Sequence, residues 1–281
     1  MLDRNFLYLT GLPGSGLGFL SQLLAQHPDI YSDRLRSRSV PLGVSPLCDI
    51  LVNFRSFVSN NPQVVNYFNQ DFNPTMVRSL SGIRGFINGW YSPISQPWIV
   101  DIHPQWLQYL ELIHLLDPNC RMVVCVRELG QVYAAIENQH QQTLLLDFPE
   151  KLADLSRADR AQQLFAPQGV VGSFLKSLEQ LQDLEDSLQQ RLFYVVYEHL
   201  MSDPNEVLTD LVKWLNLAPI SLDLTKINSE LPSYSESLGK YVEEFYNPNQ
   251  SLVYYTLPNR FEVTIKQNFS WFYRIFYPGR L

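Results

Sequence analysis

Apolar and polar positions alternate along the chain in blocks that read as strands and helices in turn. A short apolar run, Phe6 to Leu9, passes into a glycine-rich turn, Gly11 to Gly18, and then into a segment with Leu20, Leu23 and Leu24 at helical spacing. That order predicts strand, loop and helix, with Pro28 as the stop. Apolar residues at intervals of three and four predict helices over Ser45 to Ser59 and Pro74 to Trp90, which form an inserted helical layer. Pro97-Trp98-Ile99-Val100-Asp101 is a short strand with a carboxylate at its C-terminal end, followed by a helix from Gln105 to Leu116. Arg121 to Val126 is an unbroken apolar run of the kind a doubly covered parallel strand requires, and it ends in Arg127. Helical spacing resumes from Leu129 to Gln142.

The polar section from Gln141 to Arg160 predicts only a loop and one helix. Phe174 to Leu188 places Leu175, Leu178, Leu181, Leu184 and Leu188 on one helical face, and Leu192 to Tyr197 is a further strand, followed by Glu198-His199-Leu200. Asp203-Pro204-Asn205-Glu206 is a helix start, with Asp as N-cap, Pro at the first position and Glu at the third, and that helix runs to about Leu217. A last helix spans Phe261 to Phe276.

Strands near residues 6, 99, 123 and 194, each followed by a helix, predict an α/β fold: an open, mainly parallel sheet flanked by helices and joined by right-handed crossovers. Ligands of such sheets bind beyond the carboxyl ends of the strands. The glycine loop, Asp101, His103, Arg127 and the pair Tyr197-Glu198 all lie at those ends. With 281 residues the chain is long enough for one large core, and residues 1–281 are expected to form one domain.

Charge narrows the partners. A net charge of −7 and a pI near 5.2 argue against nucleic acid, whose phosphates need a clustered positive surface. A phosphorylated small molecule is compatible, because a nest of amides and one or two arginines can hold it on an acidic protein. Cys48, Cys120 and Cys125, at unrelated spacings, are expected to be reduced and structural, as in a cytoplasm-like compartment. Asp3 and Pro13 with the glycines argue against a signal peptide, and no apolar run reaches the length of a membrane span.

The glycine turn has the chemistry of an anion site, since unpaired N–H groups and the dipole of the following helix both favour negative charge. Gly11 and Gly16 satisfy the glycine spacing of a nucleoside-triphosphate loop, yet Leu17 and Gly18 stand where its Lys and Mg²⁺-binding hydroxyl belong. A dinucleotide fingerprint also fails, because Phe19 stands where its last glycine is required. No metal site is expected. The loop Asp33 to Arg38 carries three arginines and reads either as a solvated surface loop or as a contact for an anionic ligand.

Three stretches together, GLPGSGLGFLSQLLAQHPDI, RMVVCVRELGQVYAAI and LFYVVYEHLMSDPNEVLTDLVKWLNL, resemble the sulfotransferase family in order and separation, and the tail LPNRFEVTIKQNFSWFYRIFYP is similar to the C-terminal end of bacterial and phage-type members. The resemblance implies a P-loop NTPase-like fold with helical insertions. It implies binding of 3′-phosphoadenosine 5′-phosphosulfate (PAPS) and transfer of its sulfuryl group, without a metal, to a hydroxyl or amine of a small-molecule or glycan acceptor. On this resemblance Pro13, Gly14, Ser15, Gly16, Leu17 and Gly18 cradle the 5′-phosphosulfate. Arg127 pairs with the 3′-phosphate, and Tyr197 lies near the adenine. His103 is the candidate base, beside Asp101. From the residues alone, Arg127 also fits a structural ion pair, Tyr197 plain core and His103 a structural histidine.

The sequence departs from the family pattern at several of these positions. The family usually has Lys or Arg at Gly14, hydroxyls at Leu17 and Gly18, and the 3′-phosphate serine at Ala135. Phage-type members often carry D-K-x-R where this chain has Asp101-Ile102-His103-Pro104. Two readings follow: a sulfotransferase in which Arg34, Arg36, Arg38 or Arg84 replaces the loop cation, or a catalytically inactive relative acting as a nucleotide-binding or assembly module.

Overall fold

The computed structural model describes residues 1–32, 45–142, 152, 154–227 and 256–280. Among them, strands β1 (Asn5–Gly11), β2 (Ile30–Ser32), β3 (Trp98–Ile102), β4 (Arg121–Val126) and β5 (Leu192–Val196) pair in the order β2-β3-β1-β4-β5, every pairing parallel. The open parallel sheet expected from the sequence is therefore present, with β1 at its centre. Helix α1 (Leu17–Leu24) follows β1; α2 (Pro46–Asn60), α3 (Pro62–Gln70) and α4 (Phe72–Trp90) form the inserted helical layer before β3. Helix α5 (Leu110–Leu116) leads to β4. After β4 come α6 (Leu129–Gln142), α7 (Arg157–Phe165), α8 (Val170–Gln180) and the single turn α9 (Asp186–Gln189). Beyond β5 lie α10 (Tyr197–Ser202), α11 (Pro204–Trp214), α12 (Asn259–Asn268) and α13 (Ser270–Phe276).

The two-residue period of β1 sorts the core into two layers. Phe6 and Tyr8 join Ile99, Met122, Val124 and Trp106 on one face, while Leu7 and Leu9 join Val100, Val123, Cys125 and Val195 on the other. The first face is covered by residues of the helical layer, among them Leu80, Ile83 and Ile87 of α4. The second is covered by α1, through Leu20, Leu23 and Leu24, and by α11, through Val207, Leu208, Leu211 and Val212. Each fully buried aliphatic side chain of this kind contributes about 1.5–3 kcal/mol relative to exposure.

Several boundaries differ from the sequence pattern, each for a local reason. Strand β2, with only three residues, is too short for the apolar pattern to mark; its pairing with β3 makes it the sheet's edge. Asn61 accepts from the N–H groups of Gln63 and Val64 ahead of Pro62, which starts α3, a helix the spacing did not reveal. The helix expected over Phe174 to Leu188 begins earlier, at Val170, and breaks where Leu184 adopts extended backbone. The last helix breaks at Phe269, giving α12 and α13. Asp203 caps α11 as expected, its side chain accepting from Glu206 N–H. The loop Asp33 to Arg38 lies outside the described residues. Among those described, no helix is long and apolar enough to cross a membrane.

Candidate functional site

The loop between β1 and α1 is built around a tight turn. Ser15 N–H donates to Leu12 O at 3.1 Å, with Pro13 and Gly14 at the central positions and Gly14 at φ 68°. Pro followed by a residue of positive φ is the type II arrangement. Gly16 is also left-handed, at φ 83°, and directly precedes the first residue of α1, Leu17. The first N–H groups of that helix have no carbonyl partner within it. Gly11, at the end of β1, must be glycine, because a Cβ there would lie 2.5 Å from Ser15 Oγ and 2.6 Å from the carbonyl oxygen of Cys125.

Ser15 is buried, and its Oγ has no hydrogen-bond partner among the described residues. An unpaired buried hydroxyl costs about 1–3 kcal/mol, a debt a bound ligand oxygen cancels. Arg127, at the end of β4 and only 1% exposed, donates from Nη1 to the carbonyl oxygen of Gly14 at 3.0 Å. Its guanidinium carbon lies 4.3 Å from the ring centroid of Tyr197, itself at the end of β5. A Cβ on Gly16 would meet Tyr197 and Leu200 at 3.2 and 3.1 Å, so the loop rests directly on the tyrosine. The structure thus joins the loop, Arg127 and Tyr197 by contact. Pro13, Gly14, Gly16 and Leu17 stay partly open to solvent; Gly18 is buried in α1, its carbonyl accepting from Ser21 Oγ at 2.8 Å.

Asp101 and His103 sit across β1 from Arg127. The chain after β3 is fastened to β1 by His103 N–H to Leu9 O at 3.0 Å and by Thr10 Oγ1 to Pro104 O at 2.9 Å. Both side chains are buried. Asp101 accepts from Trp106 Nε1 at 2.9 Å on one oxygen, and from Ser45 Oγ at 2.9 Å and Tyr91 Oη at 3.4 Å on the other. His103 Nδ1 accepts from Gln105 N–H at 3.2 Å and faces Cys48 Sγ at 3.2 Å. An Nδ1 that accepts leaves the proton of the neutral imidazole on Nε2. Burial, reinforced by Asp101, pushes the Cys48 thiol far above its usual range, so sulfur faces the ring as a neutral S–H.

Arg84 is not at this site. Its Nε and Nη2 donate to the carbonyl oxygens of Leu116 and Leu115, at 2.8 and 2.6 Å, and so close the C-terminus of α5. It is excluded as the replacement for the loop cation; Arg34, Arg36 and Arg38 lie outside the described residues. Sequence reasoning had also passed over Ser45, Trp106 and Tyr91. Ser45 is the N-cap of α2, and its link to Asp101 spans the whole helical layer, beyond the reach of any local pattern.

With this geometry in place, the comparisons are specific. No curated protein matches the chain in sequence. The sulfotransferase domain from the curacin biosynthetic pathway, 16% identical, superposes with a TM-score of 0.51 over 96% of this chain and 99% of its own. Sulfotransferase STF9 from Mycobacterium avium, 14% identical, does so with a TM-score of 0.52 over 99% of this chain and 78% of its own. At these identities the two structures establish the fold alone. The profile of the sulfotransferase family matches residues 7–220. That span runs from β1 through α11 and contains the glycine loop, Arg127 and Tyr197: the chain belongs to the sulfotransferase family.

Proposed function

We propose that this family member binds PAPS at the Gly11–Gly18 loop and transfers its sulfuryl group to a hydroxyl or amine of a small-molecule or glycan acceptor. The observation that carries the reading is the buried, unpartnered Ser15 Oγ inside a loop with two left-handed glycines and an arginine held against it. These residues suit an anionic phosphosulfate: Ser15 Oγ and the N–H groups at the start of α1 donate to it, and Arg127 supplies positive charge at the floor. Tyr197, buried under Gly16, offers an aromatic edge for a purine. Bound PAPS supplies an activated sulfuryl group whose displacement resembles phosphoryl transfer in needing alignment and electrostatic stabilisation.

The chain's own contributions follow from their hydrogen bonds. Because its neutral ring carries the proton on Nε2, His103 acts as a donor toward developing oxygen charge rather than as the base. Accepting a proton there would require an Nδ1–H opposed to Gln105 N–H. Asp101 holds Trp106, whose indole meets the His103 ring edge-on at 6.0 Å, and so orients the imidazole. We take residues 1–281 as one sulfotransferase-like unit of a reducing, cytoplasm-like compartment, a reading supported by three free buried thiols.

A second reading, a member that binds nucleotide without turnover, is favoured by one observation. The positive charge beside the loop, Arg127, is committed to the Gly14 carbonyl, and Arg84 is committed to α5. Calorimetric titration with PAP, the desulfated nucleotide, and transfer from radiolabelled PAPS to a panel of acceptors separate the two. Micromolar PAP binding lost in Arg127→Ala, together with label transfer, supports the enzyme. Binding without transfer supports the second reading, and no binding at millimolar PAP sinks both.

A further inference from the structure

Two glutamates stand directly after the two donor-site residues at the strand ends, Glu128 after Arg127 and Glu198 after Tyr197. Each is held by a tyrosine at the end of the last helix, Tyr273 within α13 and Tyr277 directly after it. Tyr273 Oη donates to Glu128 Oε1, and Tyr277 Oη donates to Glu198 Oε2 at 2.7 Å. Four residues apart, the two tyrosines share one helical face. Glu198 also reaches the end of β4, its Oε1 accepting from Glu128 N–H at 3.4 Å, whereas Glu128 Oε2 accepts from Gln131 N–H at 2.7 Å in the first turn of α6, the helix that follows its own strand.

Stability alone is a poor account of this arrangement. Tyr273 is fully buried and Tyr277 is 7% exposed, against Phe272 and Phe276 on the same helix. Burying two hydroxyls and the Glu128 carboxylate is costly, and apolar side chains of the same volume often do as well or better. What the polar clasp adds is position. It fixes the carbonyl ends of β4 and β5 relative to each other at the point where Arg127 stacks on Tyr197 and reaches Gly14. Burial first, and then the neighbouring glutamates, push both phenols well above their usual range, so they are protonated donors at neutral pH.

We propose that Tyr273 and Tyr277 are positioning residues of the donor site: through Glu128 and Glu198, α13 holds Arg127 on Tyr197 and thereby sets the conformation of the glycine loop. The ligand in this proposal rests on the PAPS reading above; the coupling to the loop does not.

Tyr277→Phe removes one oxygen and keeps the ring. In the apo protein, amide exchange at residues 14–18, 127–129 and 197–199 should quicken by roughly tenfold, the scale of one lost charge-assisted hydrogen bond, while amides of β3 keep wild-type protection. PAP affinity, measured well below the melting temperature, should fall by roughly the same factor, and in an Arg127→Ala background Tyr277→Phe should quicken exchange at residues 14–18 no further. Unchanged exchange in the loop, or a loss spread evenly over the sheet, overturns the proposal. Tyr273→Phe should give the same pattern centred on residues 127–131, and it decides the matter if the first variant does not fold. If the wild-type protein binds no PAP, the PAPS reading falls, and the exchange experiment still decides whether the clasp governs the loop.

Discussion

Arg127, expected to pair with a 3′-phosphate, is bound to the glycine loop: its Nη1 donates to the carbonyl oxygen of Gly14 at 3.0 Å, with the guanidinium stacked on Tyr197. A backbone carbonyl facing an anion site repels the anion. Engaging that carbonyl from below leaves the N–H groups around Gly16 to define the electrostatics of the loop. Arg127 therefore braces the loop, and on the PAPS reading it also supplies charge there. A lysine at this position keeps the charge and loses the stacked, forked geometry of the brace.

Gly14→Lys tests whether a missing cation limits binding. The family's charge would return, but φ at Gly14 is 68°, where an L side chain costs about 1–2 kcal/mol. The variant should lose a few degrees of melting temperature while binding PAP about tenfold more tightly, the gain of one charge-assisted contact. Gly14→Ala is the strain control and should show the same thermal loss with no gain in affinity. If calorimetry finds the lysine and alanine variants equal in affinity, the loop does not lack a cation.

The contrast between Gly14 and Glu128 explains how much of this site was legible in the sequence. Pro13-Gly14 dictates its own turn, because a fixed φ followed by a freely positive one needs no tertiary partner. The strand ends at Asp101, Arg127 and Tyr197 were likewise visible, because apolar runs set them locally. The clasp was not, since Tyr273 meets Glu128 from 145 residues away and Tyr277 meets Glu198 from 79. Nothing in the local pattern of SWFYRIF marks which aromatic carries a partnered hydroxyl. The roles of His103 and Asp101 were hidden for the same reason, because the atoms that set them belong to Ser45, Cys48, Tyr91 and Trp106.

Asp101→Asn distinguishes a structural carboxylate from a catalytic one. Among the described residues the carboxylate receives three side-chain donors, from Trp106, Ser45 and Tyr91. An amide has one acceptor oxygen: with it facing Trp106 Nε1, the NH₂ group meets Ser45 and Tyr91, whose hydroxyls must turn to accept and so lose the charge-assisted bonds they donated. A stability loss of about 2–4 kcal/mol is expected in urea unfolding, with an unchanged m value. A variant as stable as wild type yet inactive in transfer would instead make Asp101 a direct participant in the chemistry.

The three cysteines make alkaline stability a quantitative test of burial. Burial, with Asp117 beside it, pushes the Cys120 thiol up to about 12; burial raises Cys125 further still, and burial with Asp101 does the same for Cys48. In the unfolded chain these thiols ionise near 8.5, as free cysteine does. The folded values are the higher ones, so the stabilising contribution is complete below about pH 8.5 and is lost as pH rises toward the folded values. Each thiol should remove about 1.4 kcal/mol of stability per pH unit within that window, because the unfolded state binds one proton fewer. Unfolded tyrosines, which ionise near pH 10, add to the decline in the upper part of the interval from about 8.5 to 10, so the difference between wild type and Cys120→Ala reads the cysteine share. Urea unfolding at half-unit steps through this interval should show the decline, and Cys120→Ala should reduce its slope by one thiol's share. Ellman's reagent should label the native protein slowly at pH 8 and all three thiols once it is unfolded in denaturant. Rapid labelling of the folded protein, or a stability that stays flat between about pH 8.5 and 10, would show that these thiols are not sealed beneath the sheet.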